Sequence, residues 1–423
     1  METLLHYVWK YRLFDSEQAL TTDGTSLEII DPGTSNTDAG PDFFNAKIKL
    51  NGKLWAGNVE IHTAANDWYR HRHDRNKAYN SVILHVVEQA EETAVADESG
   101  RVIPQWQMPV PQHVRDNYAY LLQRDQPISC LPRAHEISAI YWNDWKNALT
   151  VERLERKTQT IVQLLQEHQN DWNEVFYITL ARNFGFGINN DAFERLAKSL
   201  PLKYIRKHAN NQAQVEALFL GQAGLLDETD IEDEYYLILQ REYQFLSQKY
   251  GLQPLDASIF RSLRIRPGNF PHIKLVQLAG FIGNQQSIFS KILKVSGVHD
   301  LQQLFFSNVS AYWETHYHFH KSSVARKKGL SMSAINIILI NTVAPILFAY
   351  GKCKEQESRL QQALSLLENL PAEQNHIITS FSKYGVKAEN AADSQALIQL
   401  KTKYCDLKKC IYCRIGHRLL KMA

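Results

Sequence analysis

The sequence has almost no net charge and no long uninterrupted apolar run. Its formal charge is +2, with 22% charged residues, so no overall field attracts polyanions and any nucleic-acid-binding surface must be local. The most apolar segment, SAINIILINTVAPILFAY, is interrupted by Asn336, Asn341 and Pro345. It is shorter than the roughly 20 apolar residues that span a bilayer. We predict a buried helix here and no membrane span.

Cysteine is also scarce. The five cysteines are an odd number, which argues against a disulfide framework. The first residues, METLLHYVWKYRLF, contain neither the apolar core nor the small-residue cleavage site of a signal peptide. These two absences predict a protein of the reducing cytoplasm.

The chain divides by pattern into a strand-rich part and a helix-rich part. Its 423 residues exceed one ordinary domain of about 150 residues. Residues 1–125 alternate short strand-like runs with turn signals, whereas residues 126–400 show long stretches of helical periodicity. Residues 401–423 hold a cysteine motif that we expect to pack on the rest. The predicted fold class is α+β, with an N-terminal mixed sheet and flanking helices followed by a large, mostly α-helical domain.

Acidic residues lie at the ends of two adjacent predicted strands. The run FFNAKIKL alternates polar and apolar residues, and the Asn51-Gly52 turn joins it to LWAGNVEIH as a β-hairpin. Glu60 and His62 are two residues apart and share one face of the second strand, and the hairpin makes Asp42 a neighbour of Glu60. Two carboxylates on one surface suit Mg²⁺ or Mn²⁺, which would lower the pKa of an attacking water.

This arrangement resembles the PD-(D/E)XK nuclease superfamily. The similarity covers about residues 1–110 and consists of a helix, a Pro-Asp turn, a strand, a hairpin, a Glu-x-His pair, a crossover and the apolar strand SVILHVVEQ. By that resemblance residues 1–125 form a nuclease-like α/β domain. Asp42 and Glu60 would be its metal ligands, and Asp42, Glu60 and His62 its catalytic residues.

One position departs from the superfamily pattern. His62 stands where Lys is usual, and a neutral histidine can act as base or ligand but supplies no fixed cation at pH 7. The superfamily also often draws an acidic residue from its first helix. Glu2 and Glu17 are the available candidates.

The whole chain also resembles an uncharacterised family of bacterial proteins known as a domain of unknown function. The similarity runs through GPDF, VEIH, DWYRHRHD, YNSVILHVV and RPGNFP to the terminal cysteines. It implies no particular activity.

Histidines and aspartates are dense between the hairpin and the apolar strand. Imidazole and carboxylate groups at this density could bind Zn²⁺ or another transition metal, with His71 and His73 on one strand-like face, although their spacing fits no named zinc motif. In the alternative interpretation, residues 71–75 form a basic surface loop and His85 is a hydrogen-bonded core residue. If the domain is nuclease-like, the same loop could contact phosphates. The residues concerned are His62, Asp67, His71, His73, Asp74 and His85.

The C-terminal segment CDLKKCIYCRIGH has the spacing of a metal site. Cys410 and Cys413 form a C-x2-C turn, and Cys405 precedes them. A fourth ligand could be His417, which completes a zinc site, or Cys130, which also allows an iron–sulfur cluster. The alternative is that these thiols are reduced and pack as small hydrophobic groups.

Basic residues close to both motifs could hold a nucleic-acid backbone, and a solvated basic surface is the alternative. The residues are Arg72, Arg75, Lys408, Lys409 and Arg414.

These observations predict a divalent-metal-dependent nuclease that hydrolyses phosphodiester bonds of DNA or RNA. Two other functions stay open. The protein could be a catalytically inactive nucleic-acid- or protein-binding module on a nuclease-like fold, or a histidine-rich metal-dependent hydrolase of a small substrate.

Overall fold

The computed structural model describes residues 1–15, 19–91, 94–123, 126–229, 231–285, 287–295 and 297–422. Residue contacts divide the chain into two compact units. The sheet unit comprises Met1–Trp145 and Leu400–Ala423, and the helical unit comprises Lys146–Gln399. The terminal cysteine segment therefore groups with the N-terminal sheet.

The sheet unit begins with an amphipathic helix, α1 (Glu2–Lys10), on which Leu5, Val8 and Trp9 are fully buried. Their spacing puts them on one face of the helix. The following elements are β1 (Leu27–Asp31), β2 (Thr34–Ser35), β3 (Phe43–Leu50), β4 (Lys53–Ala64), α2 (Asp67–Arg70), β5 (Val82–Gln89), β6 (Val95–Ala96), β7 (Val102–Ile103), β8 (Gln105–Gln107) and α3 (Gln112–Leu122).

The main sheet is mixed, with strand order β1-β3-β4-β5-β8 and β2 paired to β3. β3 runs antiparallel to β1 and β4, whereas β4 and β5 are parallel, as are β5 and β8. The β3–β4 hairpin turns at Asn51 and Gly52, whose φ values of 47° and 79° are those that a tight two-residue turn requires. The predicted α+β class with an N-terminal mixed sheet is confirmed.

Strand β4 carries polar side chains into the interior. Its register pairs Phe43 with Val59, so Asp42 lies opposite Glu60 at the start of β3. Alternation puts Glu60 and His62 on one face of β4, and both are buried. Buried polar groups require partners, so this face of the sheet must provide them.

His71 and His73 lie on the crossover between β4 and β5, and not on the strand-like face that we predicted. The helix α2 is followed by Arg72 in a left-handed conformation (φ 62°), and His73 then begins a short 3₁₀ turn. Asp67 holds the start of α2, because its Oδ2 accepts a hydrogen bond from the Ala64 amide at 3.2 Å. The turn at Arg72 brings both imidazoles to the end of β4.

The segment after β8 contains the helix α3. Pro111 precedes the helix with φ −57°, and Val114 and Leu121 are buried seven residues apart on one face. A single apolar stripe and a proline at the start are compatible with a helix, although the segment is mostly polar.

The helical unit is built around one large apolar core. The helix α4 (Ala139–Glu167) begins in the sheet unit, and α18 (Ala391–Leu400) ends there. The other helices are α5 (Trp172–Phe184), α6 (Asn190–Ser199), α7 (Leu202–Lys207), α8 (Gln212–Gln222), α9 (Glu234–Tyr250), α10 (Pro271–Asn284), α11 (Ile288–Lys294), α12 (Val298–Leu304), α13 (Ala311–Thr315), α14 (Met332–Ile338), α15 (Ala344–Cys353), α16 (Glu357–Asn369) and α17 (His376–Ser382). In the sheet unit, α19 (Arg414–Leu420) follows the cysteine motif.

The most apolar segment is a core helix, as predicted. Helices α14 and α15 are joined by a π-helical turn, Leu339–Val343. The continuous stretch Met332–Cys353 is long and apolar enough to cross a membrane, yet 72% of its most apolar window is buried inside the protein.

Candidate metal centre

Asp42 and Glu60 are held together at adjacent strand ends. The Asp42 amide donates to Glu60 Oε2 at 3.1 Å, and the Ile61 amide donates to Asp42 Oδ2 at 2.9 Å. These two bonds fix both carboxylates relative to β4. Burial raises the pKa of Glu60; the neighbouring His73 opposes this increase, and the charge of Asp42 adds to it.

The first helix brings a histidine, His6, next to Asp42. His6 Nε2 lies 3.2 Å from Asp42 Oδ2. Burial lowers the pKa of His6, but the neighbouring Asp42 carboxylate outweighs burial and raises it overall, with smaller contributions from Glu2 and Glu60. Glu2 is exposed in the first turn of α1, and Glu17 lies outside the described residues.

Three histidines converge next to Glu60. One nitrogen from each of His62, His71 and His73 lies within 4.8 Å of the others. His62 Nε2 is 3.2 Å from His71 Nδ1 and 3.5 Å from Glu60 Oε1, while His73 Nε2 is 3.2 Å from Glu60 Oε1. In a tetrahedral site with ligand bonds of 2.0–2.1 Å, ligand atoms lie about 3.3 Å apart. The spacing therefore fits a single transition-metal ion.

A hydrogen-bonded chain behind His62 fixes its tautomer. His62 Nδ1 is 2.8 Å from His85 Nε2, and His85 Nδ1 is 3.2 Å from Gln105 Oε1. An amide oxygen only accepts, so His85 carries its hydrogen on Nδ1 and its Nε2 accepts from His62 Nδ1. The lone pair of His62 Nε2 consequently faces Glu60 and His71.

The electrostatics keep this chain neutral. Burial, with smaller contributions from the neighbouring histidines, lowers the pKa of His62 to about 2. Burial likewise lowers the pKa of His85 to about 4, although the hydrogen bond to Gln105 raises it in part. Neutral imidazole is the form that coordinates metal, and a hydrogen bond from its second nitrogen is the usual support for such a ligand.

His73 is held rigidly with one nitrogen unsatisfied. Its ring stacks on Tyr79 with a centroid separation of 3.8 Å and meets the edge of Trp68. Within the described part of the chain, the buried Nε2 atom has no partner with hydrogen-bond geometry, because its 3.2 Å contact with Glu60 Oε1 is poorly directed. A cation between the two atoms would satisfy both.

The other predicted site residues lie in several environments. Asp67 pairs with Arg70 at 2.9 Å and supports α2, and Asp74 pairs with Arg75 at 3.4 Å. Arg72 and Lys409 are exposed. Lys408 donates to the Gln123 carbonyl at 2.7 Å, and Arg414 pairs with Asp144.

The terminal histidine is engaged elsewhere. His417 Nδ1 is 2.7 Å from the Tyr7 hydroxyl, and its ring packs on Tyr11. Cys130, Cys405, Cys410 and Cys413 are free thiols in the sheet unit.

Sequence reasoning did not identify three residues of the metal centre: His6, Tyr79 and Gln105. His6 lies on a helix with ordinary amphipathic periodicity, so no local signal marked it. Gln105 meets His85 through the β5–β8 register, which pairs segments too short to align from sequence. The arrangement as a whole offers imidazole nitrogens and a carboxylate oxygen, which are donors that divalent ions accept, and the exposed residue His71 lies at its solvent-facing side.

A family model described as "Protein of unknown function (DUF2851)" matches residues 2–376. The matched range contains every residue of the metal centre and ends before the terminal cysteine motif. Neither the curated proteins nor the solved structures contain a match.

Proposed function

The chain belongs to the family of proteins of unknown function DUF2851, and we propose that it is a divalent-metal-dependent hydrolase that acts on nucleic-acid phosphodiesters. The observation that carries the proposal is the cluster of His62, His71 and His73, whose nitrogens lie within 4.8 Å of one another, with Glu60 Oε1 3.5 Å from His62 Nε2 and 3.2 Å from His73 Nε2. One acid and several neutral imidazoles form the donor set that zinc and similar ions prefer.

The four candidate ligands differ in their solvent exposure. Glu60, His62 and His73 are buried and positioned by hydrogen bonds or ring packing, whereas His71 is exposed. Catalytic zinc sites commonly use three protein ligands and keep a fourth position for water. We assign the three buried residues as the permanent ligands. His71 then stands at the open side, where its imidazole is placed to accept a proton from water.

The bound ion would supply Lewis-acid chemistry and a more acidic water. Asp42 contributes in a different way. Its backbone amide holds Glu60 Oε2, which directs Oε1 towards His62 and His73, and its carboxylate places a second negative charge beside the cation site. His6 orients that carboxylate from the first helix.

Two observations support a phosphodiester as the substrate. The crossover loop that carries His71 also carries Arg72, whose exposed guanidinium has no partner among the described residues, and it follows directly on the metal-binding strand. The element order and the carboxylates at adjacent strand ends also support a relationship to the PD-(D/E)XK nucleases. In this relationship His62 is a metal ligand in place of the lysine of the superfamily.

The test is cleavage of labelled single- and double-stranded DNA and RNA, and of a small activated phosphodiester, with Zn²⁺, Mn²⁺, Co²⁺ or Mg²⁺. Glu60→Gln and Asp42→Asn keep the shape of each side chain but remove its charge. We expect Glu60→Gln to lower the rate at least about 100-fold, because a lost metal ligand removes several kcal/mol of stabilisation. The matched control is Glu28→Gln, which changes an exposed acid on β1 that pairs with Lys49.

The outcomes separate the candidate functions. Cleavage that requires metal and is lost in Glu60→Gln supports the proposal. Hydrolysis of the small phosphodiester alone would indicate a small-substrate hydrolase. Salt-sensitive nucleic-acid binding without cleavage in any metal would indicate a non-catalytic binding module.

A further inference from the structure

A cavity in the sheet unit combines exposed aromatic rings with positive charges. Its volume is about 550 Å³, which lies within the range of pockets that bind small ligands. Its walls come from three parts of the chain: the residue after α1, the start of α4, and residues 411–421. The lining residues that bear on binding are Tyr11, Tyr141, Tyr412, Arg414, Arg418 and Lys421.

Tyr412 presents a free aromatic face at this cavity. The residue is 66% exposed, and within the part of the chain that the structure describes its ring meets no other aromatic ring and no cation. It ends the short 3₁₀ turn Cys410–Tyr412. This turn packs closely on α19, because a Cβ on Gly416 would overlap the carbonyl oxygen of Cys410. Tyr412 is therefore a large, exposed ring on a fixed turn, and such a ring can stack on a flat partner.

Tyr11 and Tyr141 form two further aromatic walls, each with a cation beside it. They are 40% and 44% exposed. Lys421 Nζ lies 5.4 Å from the centre of the Tyr11 ring, and the guanidinium carbon of Arg418 lies 4.9 Å from that of Tyr141. A cation at this distance is attracted to the face of the ring. The cavity thus places positive charge and flat apolar surface side by side.

The charges of the cavity are not balanced. Arg414, Arg418 and Lys421 are four and three residues apart, so they follow one face of α19 to its end. Arg414 pairs with Asp144, whereas Arg418 and Lys421 make no ion pair with a carboxylate of the described residues. After the larger effect of burial, both of these charges lower the pKa of His417, which also lines the cavity. The cavity is therefore positively charged and suits an anionic ligand.

Two neighbouring helices hold α19 in place. Asn117 on α3 donates from its side-chain amide to the carbonyl oxygens of Leu419 at 3.0 Å and Met422 at 2.8 Å. On α1, the Tyr7 hydroxyl lies 2.7 Å from His417 Nδ1. The helix that carries the three cations is consequently fixed at its end and in its last turn.

We propose that this cavity binds one nucleotide of a single-stranded nucleic acid, with its base stacked on the tyrosines and its phosphate at Arg418 and Lys421. Aromatic faces beside backbone-contacting cations are the usual means of holding unpaired strands. The ligand class is that of the proposed function, but different residues indicate it, and binding requires no metal. A free nucleotide carries the same base and phosphate, so the test must separate these two sources.

The test is equilibrium binding of short, fluorescently labelled single-stranded DNA and RNA to the full chain, with a chelator present to prevent metal-dependent cleavage. We expect Tyr412→Ala to weaken binding by about 5- to 150-fold, the range for loss of one stacked base. Tyr412→Phe should bind as the wild type does, because stacking requires the ring and not the hydroxyl. Tyr384→Ala is the matched control, since Tyr384 is 47% exposed in the helical unit.

Arg418→Gln tests the phosphate contact. Each phosphate that a protein neutralises on a single strand contributes about 0.7 to the slope of log K against log salt concentration. We expect the slope to decrease by about that amount in this variant. Arg195→Gln should keep the wild-type slope, because Arg195 is an exposed arginine of α6 in the helical unit.

Competition experiments assign the source of the ligand. A duplex of the same sequence should compete at least about tenfold less well, because its bases have no free face. Mononucleotides that displace the strand at equal nucleotide concentration would support the pocket and assign it to a free nucleotide. Failure to bind any strand, wild-type affinity in Tyr412→Ala, or displacement by tripolyphosphate as effective as that by a nucleotide would each overturn the proposal. Binding without cleavage in any metal would support the pocket and count against the proposed hydrolase alone.

Discussion

His62 Nδ1 lies 2.8 Å from His85 Nε2, and this contact decides which nitrogen of His62 faces the candidate metal centre. His85 is in turn fixed by Gln105 through a 3.2 Å contact to its Nδ1 atom. The result is a hydrogen-bonded relay across three parallel strands, β4, β5 and β8. Each histidine in it could carry its hydrogen on either nitrogen, whereas the amide oxygen of Gln105 can only accept a hydrogen bond. In the proposed metal centre, Gln105 would therefore determine which nitrogen of His62 offers its lone pair without itself being a ligand.

Replacing Gln105 tests this relay. Gln105→Leu removes the acceptor that holds His85 in its tautomer, so His62 loses its orientation. Supporting partners of this kind typically contribute 10–100-fold to metal affinity, and we expect a decrease of about that size in a Zn²⁺ competition titration. Gln107→Leu on the same strand is the control, since Gln107 is exposed and donates to the Glu88 carbonyl. Equal affinities for the two variants would contradict the relay.

Metal should stabilise the folded protein through the same centre. Zn²⁺ added to chelator-treated protein at about 100 times its dissociation constant should raise the unfolding free energy by about 2.7 kcal/mol. His73→Ala should remove most of this gain, because His73 supplies a buried ligand. Thermal denaturation with and without Zn²⁺ measures the effect. His376→Ala changes an exposed histidine of the helical unit and should respond to Zn²⁺ as the wild type does; a wild-type response in His73→Ala would count against its role.

The metal-free protein should lose stability as the pH falls below about 6.5. In the folded state the pKa of His85 is about 4 and that of His62 about 2, mainly because of burial, whereas in the unfolded chain both are near 6.5. Between these values the unfolded state binds more protons, so the unfolding free energy decreases with falling pH, by roughly 1.4 kcal/mol per pH unit for each histidine.

Urea titrations at pH 7 and pH 5 with a chelator measure that decrease. The raised pKa of Glu60 acts in the opposite direction, so the comparison that isolates one histidine is wild type against His85→Gln. The variant should show a smaller loss between the two pH values. An equal loss in both proteins would show that His85 does not remain neutral in the folded state.

The sequence was informative where local rules determine structure. The Asn51-Gly52 turn and the alternation on both sides of it predicted the hairpin, and with it the placement of Asp42 opposite Glu60. The sequence showed that histidines are concentrated in this segment, but it did not predict how they are arranged. Its geometry depends on Arg72 adopting a positive φ, which no common sequence signal requires of an arginine.

Contacts between segments that are far apart in the chain could not be predicted from local sequence patterns. His6 reaches Asp42 from the first helix, and Gln105 reaches His85 across the β5–β8 register. Each depends on how whole elements pack, and a single residue of register shift would place Gln105 on the opposite face. The order of elements could be predicted, but the hydrogen-bonded support of the site could not.

Gly416 should be intolerant of even a methyl group. Its missing side chain allows α19 to lie against the carbonyl of Cys410, which a Cβ would overlap. We expect Gly416→Ala to lower the unfolding free energy by about 1–3 kcal/mol, the usual range for overpacking. Gly268→Ala is the control, because nothing lies within 4 Å of a Cβ there and its φ is not positive. Chemical denaturation that finds the two variants equally stable would contradict the close packing.

His62→Lys separates two roles for the position that departs from the nuclease pattern. If a fixed cation were needed beside the scissile phosphate, lysine would raise the cleavage rate. In the structure His62 is a buried imidazole whose Nε2 faces Glu60 Oε1 at 3.5 Å, so we expect the opposite. The lysine ammonium would pair with Glu60 and occupy the place of the ion, because an ammonium has no lone pair to donate. Zn²⁺ affinity and metal-dependent cleavage should therefore both fall by at least about 100-fold, while circular dichroism shows that the fold is kept. A variant that cleaves faster than the wild type would assign His62 to the position of the catalytic lysine and remove it from the ligand set.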